Sequence, residues 1–554
     1  MSEQSVDEQI LTLNPVVGVS LEDLLKSAMK VLREGVVQPT VAAQHLLEFN
    51  AELARILFGA SDMSPNPRDR RFTADAFSSG GLYTRVAQSW LAWQRTTNQW
   101  VEAIGFEGED LERAKFIVSL ATDALAPTNF LLGNPSALQR AYETRGASLV
   151  KGLKNLVHDI RHNHGMPSQV DKSAFAVGKN LATTPGAVVY RDDIIELIQY
   201  QPATDEVNVC PMFIVPAQIN KFYLYDLSPE KSMVRFLLES GMQVFVVSWR
   251  NPGPEHRSWG LADYIHSLDR AIDHTRAIAE FDKTHVVGAC AGGITLASAL
   301  GYLAGRSDLA KVASLTLMVN VLQPTSEDSV MGLFASDEAI ETARKKSARD
   351  GVLDGNDTAR VFNWMRPNDL IWNYVVSNYL HGEPPPAFDI LYWNNDTTRL
   401  PAQLHSDFLD IFKDNTLAKQ GALQIDGVPV DLAKIDCPAY ITGGTTDHIT
   451  PWQACYRSTQ LLGGEITYVL STAGHIQSLI NPPGNSKRKF FSNPETPPDC
   501  EQWLAQAEEN PGSWWPHWVE WQRNINAETK PAPTAFGDSD HPELAAAPGT
   551  YVHE

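Results

Sequence analysis

The sequence predicts an α/β fold: a mostly parallel sheet covered by helices, interrupted by an inserted cap and preceded by an α-helical domain. Three observations predict it. Between residues 186 and 480, short apolar runs rich in β-branched residues alternate with helical segments, the signature of a sheet buried on both faces. Before residue 180 the apolar residues recur three and four apart instead. Between Met318 and Cys437 the alternation stops for about a hundred residues, too long for a simple crossover.

Taken in order, LEDLLKSAMKVL, TVAAQHLLEFNAELARILFG and TRVAQSWLAWQRTTNQWVEAIG each carry an apolar stripe at helical spacing. Pro127 and Pro135 mark later turns, and residues 1–185 are assigned to a helical N-terminal domain. AVVYRDDIIELIQYQ reads as two short strands about Arg191 and Asp192. CPMFIVP, MQVFVVS, THVVG, SLTLMV, CPAYIT and TYVLS follow as further strands, within a catalytic domain spanning 186–530. The aromatic-rich interval 323–428 is the cap or lid. GSWWPHWVEWQ spaces four tryptophans as on one helix face, which predicts a helix docked on the core. Residues 531–554, rich in Pro, Ala and Gly, read as an irregular tail.

The chain has 554 residues, too many for a single compact core, and 43% of them are hydrophobic. With 66 acidic and 45 basic residues its formal charge is -21, which disfavours nucleic acid as a partner. Five widely spaced cysteines suggest a reducing cytoplasm rather than a disulfide framework. The acidic start MSEQSVDEQI lacks the character of a secretory signal, and no run is long enough to span a membrane. No cofactor motif is found. His162 and His164 are the nearest approach to a metal site, and without a third ligand they read as a solvated turn, so no metal is expected.

Gly288-Ala289-Cys290-Ala291-Gly292 follows a strand and opens the helical run ITLASALGYLAG. That is the context of the nucleophile elbow of α/β-hydrolase folds, in which a strained turn lifts the nucleophile above the sheet. Here the position is taken by cysteine. The helix N-terminus favours a thiolate, and the Ala291 amide is placed to face a developing oxyanion.

An elbow of this kind needs an acid and then a histidine, each after a later strand. CPAYITGGTTDHITPW supplies Asp447 and TYVLSTAGHIQSLINPPG supplies His475, both just past strands. His448 is a rival orienter or a substrate contact, or else a loop histidine with no part in the site. A second oxyanion donor is expected from the loop VPAQINKFYLYDLSP, with the backbone amides of Ala217, Gln218 and Ile219 as candidates. Ser486-Lys487-Arg488-Lys489 is the densest cationic cluster near the site; Lys487, Arg488 and Lys489 could hold the phosphates of an anionic donor. A thiolate accepts an acyl group from a thioester almost thermoneutrally, so the pattern fits a thioester-using transferase better than an ester hydrolase. Acyl-CoA is the commonest such donor.

These segments together resemble the polyhydroxyalkanoate synthases. GACAGG, INKFYLYDLSP, VSWRNPGPEHRSWGLADY, MRPNDLIWNYVVSNYLHGEPPPAFDILYWNNDTTRLP, GGTTDHITPW and AGHIQSLINPPGNSKRKF carry the resemblance. DRRF, PTNFLLGNP, GSWWPHW and APGTYV extend it over nearly the whole chain. The details look like the class II, medium-chain-length group. The resemblance implies an α/β-hydrolase fold with a cap, and conversion of (R)-3-hydroxyacyl-CoA to polyester with release of CoA. It implies that Cys290 carries the growing chain, that His475 deprotonates the thiol and that Asp447 orients the histidine or helps activate the 3-hydroxyl of the incoming unit. It further implies a homodimer, association with polyester granules in the cytoplasm, and a helical region that helps bind the granule. The competing expectations are an α/β-fold thioesterase or polyester depolymerase, and a non-catalytic granule-coat protein.

Overall fold

The computed structural model describes residues 21–67, 69–325, 332 and 336–554. The chain forms two compact units. One reaches to Lys172 and takes in Leu333–Ala339 and Arg360–Phe388; the other holds Ser173–Gly332, Ile340–Ala359 and Asp389–Glu554. The interval 323–428, expected as one cap, is therefore shared between the two units. A stretch interrupted by this many Pro, Asn and aromatic residues gives no sequence signal of which core each part joins.

The first unit is helical. α1 (Leu21–Val37), α2 (Pro39–Leu57) and α3 (Leu82–Ala103) occupy the three periodic segments, followed by α4 (Gly108–Ala124), α5 (Pro135–Glu143) and α6 (Ala147–His162). Pro135 opens α5, where its missing amide costs nothing, and the Asn134 side chain caps that helix by accepting from the Ala137 amide. Val31, Val101, Ile104, Ala114 and Val118 form one small core. α6 is held to the later segment of the unit by Tyr379, whose hydroxyl donates to Asp159 at 2.9 Å, and by Asn155, whose amide donates to the Asn378 carbonyl. His162 ends α6, and among the described residues no cluster of three metal-ligating side chains is found. Among those residues no helix is long and apolar enough to cross a membrane.

The second unit is built on an eleven-stranded sheet. Its strands are β1 (Gly186–Arg191), β2 (Ile195–Tyr200), β3 (Met212–Val215), β4 (Val244–Trp249), β5 (Thr284–Ala289) and β6 (Val312–Met318). They continue with β7 (Ala439–Gly444), β8 (Ile466–Ser471), β9 (Lys489–Asn493), β10 (Glu508–Pro511) and β11 (Ala545–Ala546). The spatial order is β10-β9-β8-β7-β6-β5-β3-β4-β2-β1-β11, and β3 to β8 are mutually parallel. α7 (Met233–Glu239) connects β3 to β4, α8 (Leu261–Ile278) connects β4 to β5, and α9 (Cys290–Gly305) connects β5 to β6. All residues of β3, β4, β5, β6 and β7 are buried, which explains their unbroken apolar runs. This is the α/β-hydrolase fold that the elbow context predicts.

Two parts of the sheet lie beyond the sequence reading. β9 and β10 extend it as antiparallel strands past β8, and KFFSN and EENP carry too few apolar residues to announce strands. The segment expected as an irregular tail supplies β11, which pairs with β1, and it buries Tyr551 and Val552. A two-residue strand among alanines has no periodicity to detect. The tryptophan segment forms a helix, Trp515–Ile525, with Trp514, Trp515 and Trp518 fully buried in the main core, as its spacing predicts.

Candidate active site

The strand order reverses at β3, which lies between β4 and β5. From β3 the chain moves to one side and from β4 it crosses back to the other, so a crevice opens at the carboxyl ends of β3 and β5. Parallel strands put the loops after β3, β5, β7 and β8 at that same edge. The loops carrying residues 217–219, Cys290, Asp447 and His475 are therefore neighbours because of topology.

Cys290 is the first residue of α9 and has φ +48, a left-handed conformation that β-carbons disfavour. Its neighbours make the turn possible. A Cβ on Gly288 would lie 2.7 Å from the Gly293 Cα, one on Gly293 would lie 2.7 Å from Asn320 Nδ2, and one on Gly292 would collide with the Pro216 carbonyl. The glycines thus let strand, helix and the loop after β3 close to backbone contact. Asn320 Nδ2 donates to the Cys290 carbonyl at 2.7 Å and holds the strained peptide. Ala291 lies in the first turn of α9, where amides have no partner within the helix.

The other four cysteines are not candidates for a nucleophile. Burial pushes the thiols of Cys210 and Cys437 up to about 12, drives Cys455 well above its ordinary value and raises Cys500. Cys290 is half-buried on the elbow.

Asp447 sits in the turn after β7 and His475 begins the short helix Gly474 caps after β8. The His475 ring meets Asp447 Oδ2 through Nδ1 at 2.7 Å. Asp447 Oδ1 accepts from the amides of Ile449 and Thr450 at 2.9 and 3.0 Å, and Oδ2 also accepts from the Thr450 hydroxyl at 2.8 Å. Burial opposes charge on both partners, but their mutual attraction and these hydrogen bonds prevail: Asp447 falls below the usual carboxylate range and His475 rises to about 10. The Cys290 sulfur also favours the charged imidazole, so His475 feels the sulfur as well as the carboxylate.

The remaining predicted residues divide. Pro216 packs on Gly292, which brings Ala217, Gln218 and Ile219 beside the elbow. Gln218 also contributes a side chain, whose Nε2 donates to Thr295 Oγ1 on α9 at 2.7 Å. His448 is half-buried in the turn of Asp447. The cationic cluster is not one surface. Lys489 pairs with Glu509 at 2.7 Å, Arg488 Nη1 donates to the Gln477 carbonyl at 2.6 Å, and Lys487 is exposed.

Sequence reasoning missed several supporting groups. Thr450, three residues after Asp447, had a usable signal, because Asp-x-x-Thr is a turn in which the carboxylate caps following amides. Asn320 and Thr295 act across long separations and had none. Trp514 Nε1 donates to the Ser478 carbonyl and Trp515 Nε1 to the Leu479 carbonyl, at 2.9 and 3.2 Å, so the tryptophans pin the helix that begins with His475.

Comparison with known proteins identifies the family. Residues 68–237 match the family described as "Poly-beta-hydroxybutyrate polymerase (PhaC) N-terminus", and residues 223–482 match "alpha/beta hydrolase fold". Poly(3-hydroxyalkanoate) polymerase 1 of Ectopseudomonas oleovorans is 48% identical over 552 residues, covering 100% of this chain and 98% of its own. Polymerase 2 of the same organism is 47% identical, covering 97% and 96%. The polymerase subunit PhaC of Cupriavidus necator is 39% identical, covering 92% and 87%. With identity at this level over the full chain, and an α/β-hydrolase site that carries cysteine on its elbow, the chain belongs to the poly(3-hydroxyalkanoate) polymerase family.

Proposed function

We propose that this chain polymerises (R)-3-hydroxyacyl-CoA of medium chain length into polyester, with Cys290 as the carrier of the acyl group and the growing chain. The observation that carries the reading is a His475–Asp447 pair whose electrostatics involve the Cys290 sulfur, held on a strained elbow.

The placement of these residues supports each step. His475 takes the Cys290 proton and its charge is stabilised by Asp447. The sulfur attacks the thioester carbonyl, and the resulting oxyanion faces the Ala291 amide and an amide of the loop after β3. Collapse of this intermediate breaks the carbon–sulfur bond to CoA, and the departing thiolate takes the proton from His475. The acyl group remains a thioester, now on Cys290. His475 next takes the proton of the 3-hydroxyl of an incoming unit, whose oxygen attacks that thioester; collapse breaks the carbon–sulfur bond to Cys290, whose thiolate recovers the proton from His475, and leaves the ester link of the polymer. Sulfur suits this cycle because the acyl group keeps its transfer potential until an alcohol arrives.

The medium-chain preference follows the class II resemblance and the two Ectopseudomonas relatives. The same resemblance supports a homodimer and residence at the granule surface, where the tethered product would hold the protein. The test is incubation with (R)-3-hydroxydecanoyl-CoA, measuring CoA by thiol titration and analysing the product. Polymer with stoichiometric CoA is expected. CoA with free hydroxy acid and no polymer would assign the site to a thioesterase instead, and unchanged CoA release in Cys290→Ala would remove the cysteine from the mechanism.

A further inference from the structure

The loop after β3 is anchored through its carbonyls. Trp249 Nε1 donates to Pro216 O at 2.8 Å, the Thr398 hydroxyl to Gln218 O at 2.6 Å, the Thr398 amide to Ile219 O at 3.0 Å, and Trp393 Nε1 to Lys221 O at 2.7 Å. A trans peptide points its N–H opposite the preceding carbonyl, so fixing these carbonyls fixes the directions of the following amides. The loop's far end is set by Lys221. Its side chain runs into the protein, 4% exposed, and its ammonium donates to the backbone oxygens of Tyr551 at 3.2 Å and Glu554 at 2.8 Å.

The segment that receives Lys221 is itself built in. Glu196, fully buried on β2, accepts from the Thr550 amide and hydroxyl at 2.9 and 2.7 Å and from the Tyr551 amide at 3.0 Å. Gly549 has φ +84, and a Cβ there would collide with the Glu196 carboxylate. Arg250 lies 4.2 Å from the centre of the Tyr551 ring and pairs with the Glu554 side chain at 3.4 Å. A buried ammonium is costly, and burial does lower the pKa of Lys221, against the opposing charges of Asp396 and Glu554. A lysine serving only to fill space at this position would be better replaced by an apolar residue.

We infer that residues 549–554 form a strap that acts through Lys221 to set the loop 216–219 against the nucleophile elbow, which makes Lys221 a positioning residue for oxyanion stabilisation. The inference rests on the acyl-transfer reading of Cys290.

The test uses the full chain and two variants. Lys221→Met removes the donors and keeps most of the stem, whereas Gly549→Ala displaces the strap from its far end without touching Lys221. Each is assayed for kcat and KM with (R)-3-hydroxydecanoyl-CoA and for the rate at which iodoacetamide labels Cys290. Alkylation uses the sulfur and His475 but generates no oxyanion. Each variant is expected to lower kcat by at least about 10-fold, approaching the ~100-fold cost of deleting an oxyanion donor. KM should stay within about twofold, because ground-state binding is untouched. Labelling should stay at the wild-type rate, and the double variant should be no worse than the poorer single one. Unchanged kcat in either folded variant overturns the inference, as does a labelling rate that falls in step with kcat. If Lys221→Met does not fold, Gly549→Ala decides alone by the same readouts. A wild-type protein that yields only free acid overturns the polymerase reading, yet the strap is still read from its rate of CoA release.

Discussion

His475 Nδ1 and Asp447 Oδ2 lie 2.7 Å apart with both side chains almost completely buried, so each charge is stabilised by the other. The consequence can be read from stability against pH. The folded His475 sits at about 10 rather than its ordinary 6.5. Its contribution is therefore complete below about pH 6.5 and is lost as the pH rises through about 10. Asp447 is shifted the other way, so its contribution is present above its ordinary 3.8 and is lost as the pH falls through the lower folded value. Asp447→Asn should lower the melting temperature most between about pH 4 and 6.5, with the difference shrinking towards pH 10. Thermal melts across that range check this, and a difference independent of pH would break the assigned coupling.

Cys290→Ser puts a hydroxyl in place of the thiol on the same strained turn, where glycine packing already accommodates the Cβ. The fold should be unaltered and the melting temperature close to wild type. Activity should fall by at least about 100-fold, because an alkoxide demands far more base activation than a thiolate. CoA release by the purified variant measures this. Near-normal turnover would mean that the choice of sulfur is not what the site depends on.

The tryptophans of GSWWPHW lead to a prediction about the histidine they never touch. Trp514 Nε1 donates to the carbonyl of Ser478, three residues from His475 in the same short helix. Trp514→Phe keeps the ring in the core and removes that donor, at a stability cost of about 1 kcal/mol. If the bond only supports the fold, kcat should follow the lost stability and nothing else. If it also positions His475, iodoacetamide labelling of Cys290 should slow together with kcat in fully folded protein, and a second substitution at His475 should add little further. Labelling at the wild-type rate would leave Trp514 with a role in the core alone.

Much of this was legible in the sequence for a physical reason. A parallel sheet buried on both faces writes its strands as unbroken apolar runs, and an elbow writes itself as small residues about one nucleophile. THVVGACAGG therefore announced β5, Cys290 and α9 together. Asp447 and His475 were legible because both follow such runs directly. Edge structure was not: β9, β10 and β11 are short and half-exposed, and KFFSN or ELAAAP has no run to detect. The supporting contacts were hidden for a different reason. Asn320 to Cys290 and Lys221 to Glu554 join residues far apart in sequence, and a single Asn or Lys carries no mark of what it will face.

The cationic cluster after His475 makes the last prediction, because its three members face different fates. Lys489 is exposed but matched by Glu509 at 2.7 Å and Arg488 is half-buried and turned to the Gln477 carbonyl, whereas Lys487 is exposed with no carboxylate at ion-pair distance among the described residues. In a chain of net charge -21, one such cation near the site matters most to a substrate bearing several phosphate charges. Lys487→Glu should therefore raise KM for acyl-CoA with little change in kcat. The effect should shrink as ionic strength rises past about 0.1 M, where the screening length falls to ~10 Å. Lys489→Glu should matter less, since its charge is already offset. Arg488→Gln should act on kcat instead, because it frees a carbonyl two residues from His475. KM and kcat for all three variants at low and high salt decide this. Equal KM values throughout would place the phosphates on some other part of the chain.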